Sequence, residues 1–244
     1  MIVKLKHDPF SIKYWEDSLK KKYDLTTVKN NIIRKEKSSF NPYQNNGGTI
    51  IAMTSRNFCI IACDTRFTSG FAIPSREIVR VYKLSSKIIL GSAGMFSDIK
   101  FLQNKIKNDI ESFENENMDT ISLNACAHYI SSLLYSRRFF PFYTFNLLTG
   151  LENDGKGYCY SYDAIGSFEK NIFGSVGQGQ AMADAILDSK ITCDKKMPLF
   201  EQLLFLKKIF LNISSRGISI GDGLQIFILS KKGIVIENNV LKQD

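Results

Sequence analysis

The stretch Gly47-Gly-Thr-Ile-Ile-Ala-Met-Thr-Ser-Arg-Asn-Phe-Cys-Ile-Ile-Ala-Cys-Asp-Thr-Arg66 decides how the rest of this 244-residue chain is read. Two short β-rich runs, Ile50–Thr54 and Phe58–Cys63, flank the polar Ser55-Arg56-Asn57. Runs of that composition around a polar turn read as a hairpin.

Working outward, a second strand pair is expected at Val79–Leu84 and Ile88–Leu90. Met95–Phe113 then carries Phe96, Ile99, Leu102, Ile106 and Ile110 at helical spacing. Asp119 is placed to cap a second helix with apolar positions at Ile121, Leu123, Cys126, Ile130 and Leu134. The richest apolar run, Phe139–Leu148, is interrupted by Pro141 and Asn146 and reads as a buried strand. Its core, Phe142–Leu148, is expected to pair with Tyr158–Tyr162 across a turn containing Asp154-Gly155-Lys156-Gly157. Helical patterns return at Gln180–Asp188 and Leu199–Ser215, and the chain closes with Leu224–Leu229, a Lys-Lys-Gly turn and Ile234–Ile236. The order is strands, two helices, strands, two helices, strands. An α+β fold of two stacked, mainly antiparallel sheets with a helix pair on each outer face satisfies it, a four-layer α-β-β-α sandwich. Pattern alone leaves a doubly wound α/β fold open, but the hairpin turns argue against an all-parallel sheet.

Residues 1–46 differ in character. They hold ten Lys or Arg against five acids, +5 of the chain's net +8, and end in Asn-Pro-Tyr-Gln-Asn-Asn. They read as a leader outside a folded domain spanning 47–244. Ile12, Trp15, Leu19 and Tyr23 recur at helical spacing, so a short amphipathic helix competes there with a disordered extension. The leader has no secretory pattern of a charged start before an apolar segment. No stretch approaches the ~18 apolar residues of a membrane-spanning helix, so no membrane association is expected. A basic leader on a nearly neutral domain without a recognition motif gives little support to nucleic-acid binding.

Five cysteines (Cys59, Cys63, Cys126, Cys159, Cys193) are odd in number and lack CxxC pairs, which fits free thiols in a reducing compartment. His7 and His128 are the only histidines and neither is near the Cys59/Cys63 pair, so no metal site is expected. No cofactor is expected either: Gly177-Gln-Gly179 lacks the GK[ST] or full GxGxxG that would make it a phosphate loop. Asn212-Ile213-Ser214 matches a glycosylation sequon by chance inside a predicted helix.

The opening stretch resembles that of proteasome β-type subunits, which belong to the N-terminal nucleophile hydrolases. In them a Gly-Thr junction starts the first strand, an Asp-x-Arg ends the second, and nucleophile, aspartate and lysine fall sixteen residues apart. Stepping sixteen residues from Asp64 lands on Gly48 in one direction and Arg80 in the other. Asp64 alone has the expected side chain. An alternative register makes Thr49 the nucleophile of an active threonine endopeptidase, after cleavage of the Gly48–Thr49 bond. Such an enzyme needs hydroxyl and α-amine on one residue.

The resemblance continues. Gly174-Ser-Val-Gly-Gln-Gly179 matches the family's glycine-rich loop, with Gln178 in place of its serine. Gly217-Ile-Ser-Ile-Gly-Asp222 matches Asp-x-x-Ser-Gly-Gly, with Gly217 and Ile220 replacing the supporting aspartate and serine. Arg80 replaces the tunable lysine with a wider, planar guanidinium. It is expected to form a structural ion pair with Asp64. Tyr135-Ser-Arg-Arg-Phe-Phe-Pro-Phe-Tyr143 and Tyr160-Ser-Tyr-Asp-Ala-Ile-Gly-Ser167 are similar to one non-catalytic member of the family.

That likeness implies one place in a seven-membered β ring of a 28-subunit 20S particle, beside the other α and β subunits, in cytoplasm and nucleus, serving ubiquitin-dependent protein breakdown. It also implies that Asp163, Ala164, Ile165 and Ser167 help wall the substrate cleft of an adjacent chymotrypsin-like subunit. Asp163 is expected there to pair with a basic group of the peptide substrate.

Overall fold

Neighbouring side chains on a β-strand point to opposite faces, and strands buried on both faces become nearly continuous apolar runs. The first hairpin has this composition, and the computed structural model, which describes residues 41–190 and 197–243, places it in the middle of the molecule. Strands β1 (Thr49–Thr54) and β2 (Phe58–Asp64) pair antiparallel, Ile50 opposite Cys63. Ile50, Ala52, Ile61 and Cys63 face a second sheet, while Ile51, Met53, Ile60 and Ala62 face helices.

β3 (Phe67–Ser69) and β4 (Ala72–Ser75) form a separate two-stranded ribbon. β5 (Val81–Ser85) and β6 (Ile88–Gly94) follow, then α1 (Phe96–Asn117) and α2 (Leu123–Tyr135). Next come β7 (Thr144–Leu151), β8 (Gly157–Tyr162), β9 (Phe168–Asn171) and β10 (Phe173–Gly177). α3 (Gln180–Lys190), α4 (Leu199–Ser214), β11 (Gly223–Ser230) and β12 (Gly233–Val240) complete the order. The two large sheets run β10-β1-β2-β11-β12 and β5-β6-β7-β8-β9, with every pairing antiparallel.

Three apolar clusters separate four layers. Ile50, Ile61, Ile89, Leu147 and Val176 lie between the sheets. Ile51, Ile226, Leu187, Leu206 and Phe210 bury the first sheet's other face under α3 and α4. Leu90, Leu148, Leu102, Ile106 and Ile130 do the same for the second sheet under α1 and α2. Gly91 permits the sheets' close approach, because a β-carbon there would come within 2.9 Å of Ile50 and Ile61 side-chain atoms. The α-β-β-α sandwich expected from the element order is therefore the fold.

Several local expectations are corrected. The cap of α2 is Ser122, whose hydroxyl accepts from the Ala125 amide at 3.2 Å; Asp119 accepts from Thr120, before the helix. The Phe139–Leu148 run is strand only from Thr144, and Phe139 stands 99% exposed in the preceding turn. The compact unit begins at Tyr43, ahead of the expected boundary at 47. Asn46 explains why: it is buried, its amide donates to Gly94 O, and its side chain bonds Thr68 O and the Phe96 amide. The leader's amphipathic pattern at Ile12–Tyr23 and Cys193 lie outside the described residues.

Among the described residues no helix is long and apolar enough to cross a membrane. The four described cysteines are free and buried.

Candidate functional site

Gly48 immediately precedes β1, Asp64 ends β2, and Arg80 immediately precedes β5. The hairpin register sets the first two side by side, and the β3–β4 excursion returns the chain so that Arg80 enters between the sheets. The sixteen-residue step thus converges on one buried point.

Gly48 has a φ of +92°, a region that L side chains rarely adopt. A β-carbon there would lie 2.5 Å from Arg80 Nε and 2.6 Å from Nη1. The guanidinium therefore fills the space a side chain at position 48 would need. Arg80 Nη2 donates to the carbonyls of Asn46, at 3.2 Å, and Arg66. Its Nε stands 3.8 Å from Asp64 Oδ1, so the expected ion pair exists at long range and without a hydrogen bond.

Asp64 and Arg80 are both almost wholly inaccessible to solvent. Burial pushes the Asp64 carboxyl up to about 6, while Arg80 and the Thr49 amide, which donates to Oδ1 at 2.7 Å, pull it down. The adjacent Cys63 thiol is pushed up to about 12, chiefly by burial and then by Asp64. A thiol held protonated is a poor nucleophile.

Thr49 points away from this centre. Successive side chains alternate, so position 48 faces Arg80 and the inter-sheet layer while Thr49 faces the helices. Its hydroxyl accepts from the Gly179 amide at 2.9 Å, and the residue is fully buried. Its backbone nitrogen is a peptide amide bound to Asp64 rather than an amine beside the hydroxyl.

The remaining degenerate positions gather around the same place. Gln178 donates its amide to Gly48 O at 2.9 Å, and its side-chain oxygen accepts from the Ser219 hydroxyl. Gly217 and Ile220 lie in the adjoining loop, with Ile220 buried in the core beside Ile213. No hydroxyl from either supporting loop position reaches the centre. Among the described residues no cluster of three or more His, Cys, Asp or Glu is arranged to hold a metal.

Sequence reasoning passed over a second buried ion network. Arg66 Nε donates to Asp222 Oδ2 at 2.8 Å and its Nη1 to Ile218 O at 2.7 Å, while Arg76 also pairs with Asp222. Asp222 sits in the left-handed region, φ 65°. Arg66 belongs to the Asp-x-Arg signature and was the one available signal. The network pins the loop bearing Ile220 to the end of β2.

The predicted wall is a tight turn between β8 and β9. Asp163 Oδ1 accepts from the amides of Ile165 (2.9 Å), Gly166 (2.7 Å) and Ser167 (2.8 Å), and the Ser131 hydroxyl donates to Gly166 O at 2.6 Å. Asp163 therefore organises the turn through Oδ1. Asp163, Ile165 and Ser167 are exposed on this turn, and Ile165, 42% exposed, is its large apolar side chain.

A proteasome subunit family profile matches residues 44–229. The chain is 35% identical to the proteasome subunit beta type-1 of Arabidopsis thaliana, covering 87% of this chain and 100% of that one. Identity to the Drosophila melanogaster beta type-1 subunit is 37%, over 84% of this chain and 91% of the relative. The Saccharomyces cerevisiae proteasome subunit beta type-6 is 31% identical, with coverage of 84% and 92%.

Proposed function

The chain belongs to the proteasome subunit family, and from that premise we propose that it is a non-catalytic β subunit of the 20S core, in the place held by the type-1 relatives. Its contribution to proteolysis is then to build the chamber wall. The observation that carries this reading is the Arg80 guanidinium in the space where position 48 would project a nucleophile. Threonine catalysis needs a hydroxyl, a neighbouring amine and a base of suitable pKa in mutual reach. Here position 48 has no side chain, Arg80 puts a planar guanidinium where the chemistry needs a tunable amine, and Thr49 faces the opposite layer.

The partners on this reading are the other α and β subunits, with the chymotrypsin-like β subunit beside the turn that carries Asp163, Ala164, Ile165 and Ser167. Ubiquitin-dependent degradation and residence in cytoplasm and nucleus belong to the same proposal; free buried thiols accord with a reducing compartment.

The test is isolation of particles through a C-terminal tag on this chain, followed by N-terminal sequencing and labelling with an electrophile that captures active threonines. The chain should co-purify with other proteasome subunits, begin before Thr49 and remain unlabelled. A mature chain starting at Thr49, or label on Thr49, overturns the non-catalytic reading.

A further inference from the structure

Polar groups folded out of reach of solvent are costly unless hydrogen-bonded. Beneath α1, three side chains carry atoms that the protein leaves unsatisfied. Ser92 on β6, Asn146 on β7 and Gln103 on α1 are wholly inaccessible to solvent. Among the described residues, Ser92 Oγ, Asn146 Oδ1 and Gln103 Oε1 make no hydrogen bond to any protein group.

Backbone register brings the three together. Ser92 stands opposite Asn146 in the β6–β7 ladder, so their side chains share one face of the sheet. It is the face of Leu90 and Leu148, each two residues along its strand, which belong to one cluster with Leu102 and Ile106 of α1. Gln103 arrives from that helix. Its Nε2 donates to Arg80 O at 3.2 Å, and the same carbonyl accepts from the Ser92 amide at 3.1 Å. Gln103 and Ser92 therefore meet at one oxygen, with Asn146 alongside.

Their unmet bonding is complementary. Gln103 Nε2 is committed to Arg80 O and Asn146 Nδ2 to Thr144 Oγ1 at 3.1 Å, so each amide is left with a carbonyl oxygen in need of a donor. The Ser92 hydroxyl has a proton in need of an acceptor. We propose that one internal water is a fixed ligand of this site, donating to Asn146 Oδ1 and Gln103 Oε1 and accepting from Ser92 Oγ. Buried waters typically make about three such bonds to groups otherwise unsatisfied. A cation is the poorer occupant, because all three side chains are uncharged and a charge out of solvent needs a charged partner. The water ties α1 to the sheet beside Arg80, the residue whose guanidinium fills the space at Gly48. The site stands apart from the subunit reading and survives its failure.

The experiment is a crystal structure of the full chain at a resolution that shows ordered water, with a thermal double-variant cycle beside it. Density for one water should lie within hydrogen-bonding distance of Ser92 Oγ, Gln103 Oε1 and Asn146 Oδ1. Ser92→Ala and Gln103→Met should each lower the unfolding midpoint by about 2–4 °C. No hydrogen bond joins these two side chains directly, so sharing one water predicts that the paired variant falls by clearly less than the sum. Direct bonds among the three side chains with no density between them, a peak at the short distances of a coordinated metal, or additive shifts overturn the water site. If a variant fails to fold, the wild-type density alone decides.

Discussion

Arg80 Nη1 lies 2.6 Å from the point that a β-carbon on Gly48 would occupy. One residue has no side chain, and the other uses the space. The positive φ at Gly48 adds a backbone reason for glycine to the steric one.

Restoring threonine alone should therefore damage the protein without activating it. A non-glycine residue in left-handed backbone costs about 1–2 kcal/mol and overpacking adds about 1–3 kcal/mol. Gly48→Thr should lower the midpoint of chemical unfolding, and the particle should gain no new labelled threonine. Gly48→Thr/Arg80→Ala relieves the clash, yet electrophile labelling should still be absent, because Gly217 and Ile220 supply no supporting polar groups.

Removing the guanidinium exposes the other side of the relationship. Arg80→Ala leaves Asp64 buried without its cation, an arrangement that typically costs about 3–5 kcal/mol. Fewer complete particles should be recovered, while peptide turnover per assembled particle stays near wild type. Loss of one peptidase activity in fully assembled particles would contradict a purely structural role.

The burial of Asp64 has a pH signature. Its folded carboxyl is raised from the ordinary 3.8 to about 6, so the folded state holds this proton more tightly than the unfolded chain does. Its contribution to stability is fully present below about pH 4 and is lost as pH rises through about 6. Other carboxylates titrate in the same range, so the informative quantity is the difference between wild type and Asp64→Asn. Urea unfolding from pH 4 to 7 should show wild type losing stability relative to the variant as pH rises. A constant difference would show that the carboxyl titrates alike in both states.

At the β8–β9 turn two of the exposed candidates, Asp163 and Ile165, separate. Asp163→Ala removes an acceptor from three amides and should loosen the turn at a cost of about 1–3 kcal/mol. Ile165→Glu leaves those bonds intact and changes only what the turn presents. If the proposed adjacency to the chymotrypsin-like site is right, Ile165→Glu shifts that site's selectivity across a peptide panel and leaves the other activities unchanged. Identical kinetics from normally assembled particles would remove the turn from the substrate cleft.

The long elements were legible in the chain because their patterns are strong: the two β-rich runs of the first hairpin, and the helical stripe of Ile99, Leu102, Ile106 and Ile110. Short ones were not. β4 contains Pro74, and β9 is mostly polar, so neither has a strand pattern to read. The Phe139–Tyr143 segment has core composition, and composition alone cannot distinguish a buried strand from an exposed ridge. At the site, the even spacing of Gly48, Asp64 and Arg80 survived folding because the intervening segments return to one point. The filled space at Gly48, the opposite facing of Thr49 and the Arg66–Asp222 network are three-dimensional facts with no one-dimensional signature. Asp163 was legible as a candidate, and its part in the turn was not read, although Asp followed at three residues by glycine is also a turn signal.

The mutual fit of Gly48 and Arg80 acts as a ratchet on descent. A threonine cannot return while the arginine remains, and the arginine cannot leave first without stranding Asp64. In either order a series of single replacements passes through a damaged intermediate before any chemistry could be gained. The pair thereby holds itself in place, each residue a reason for the other.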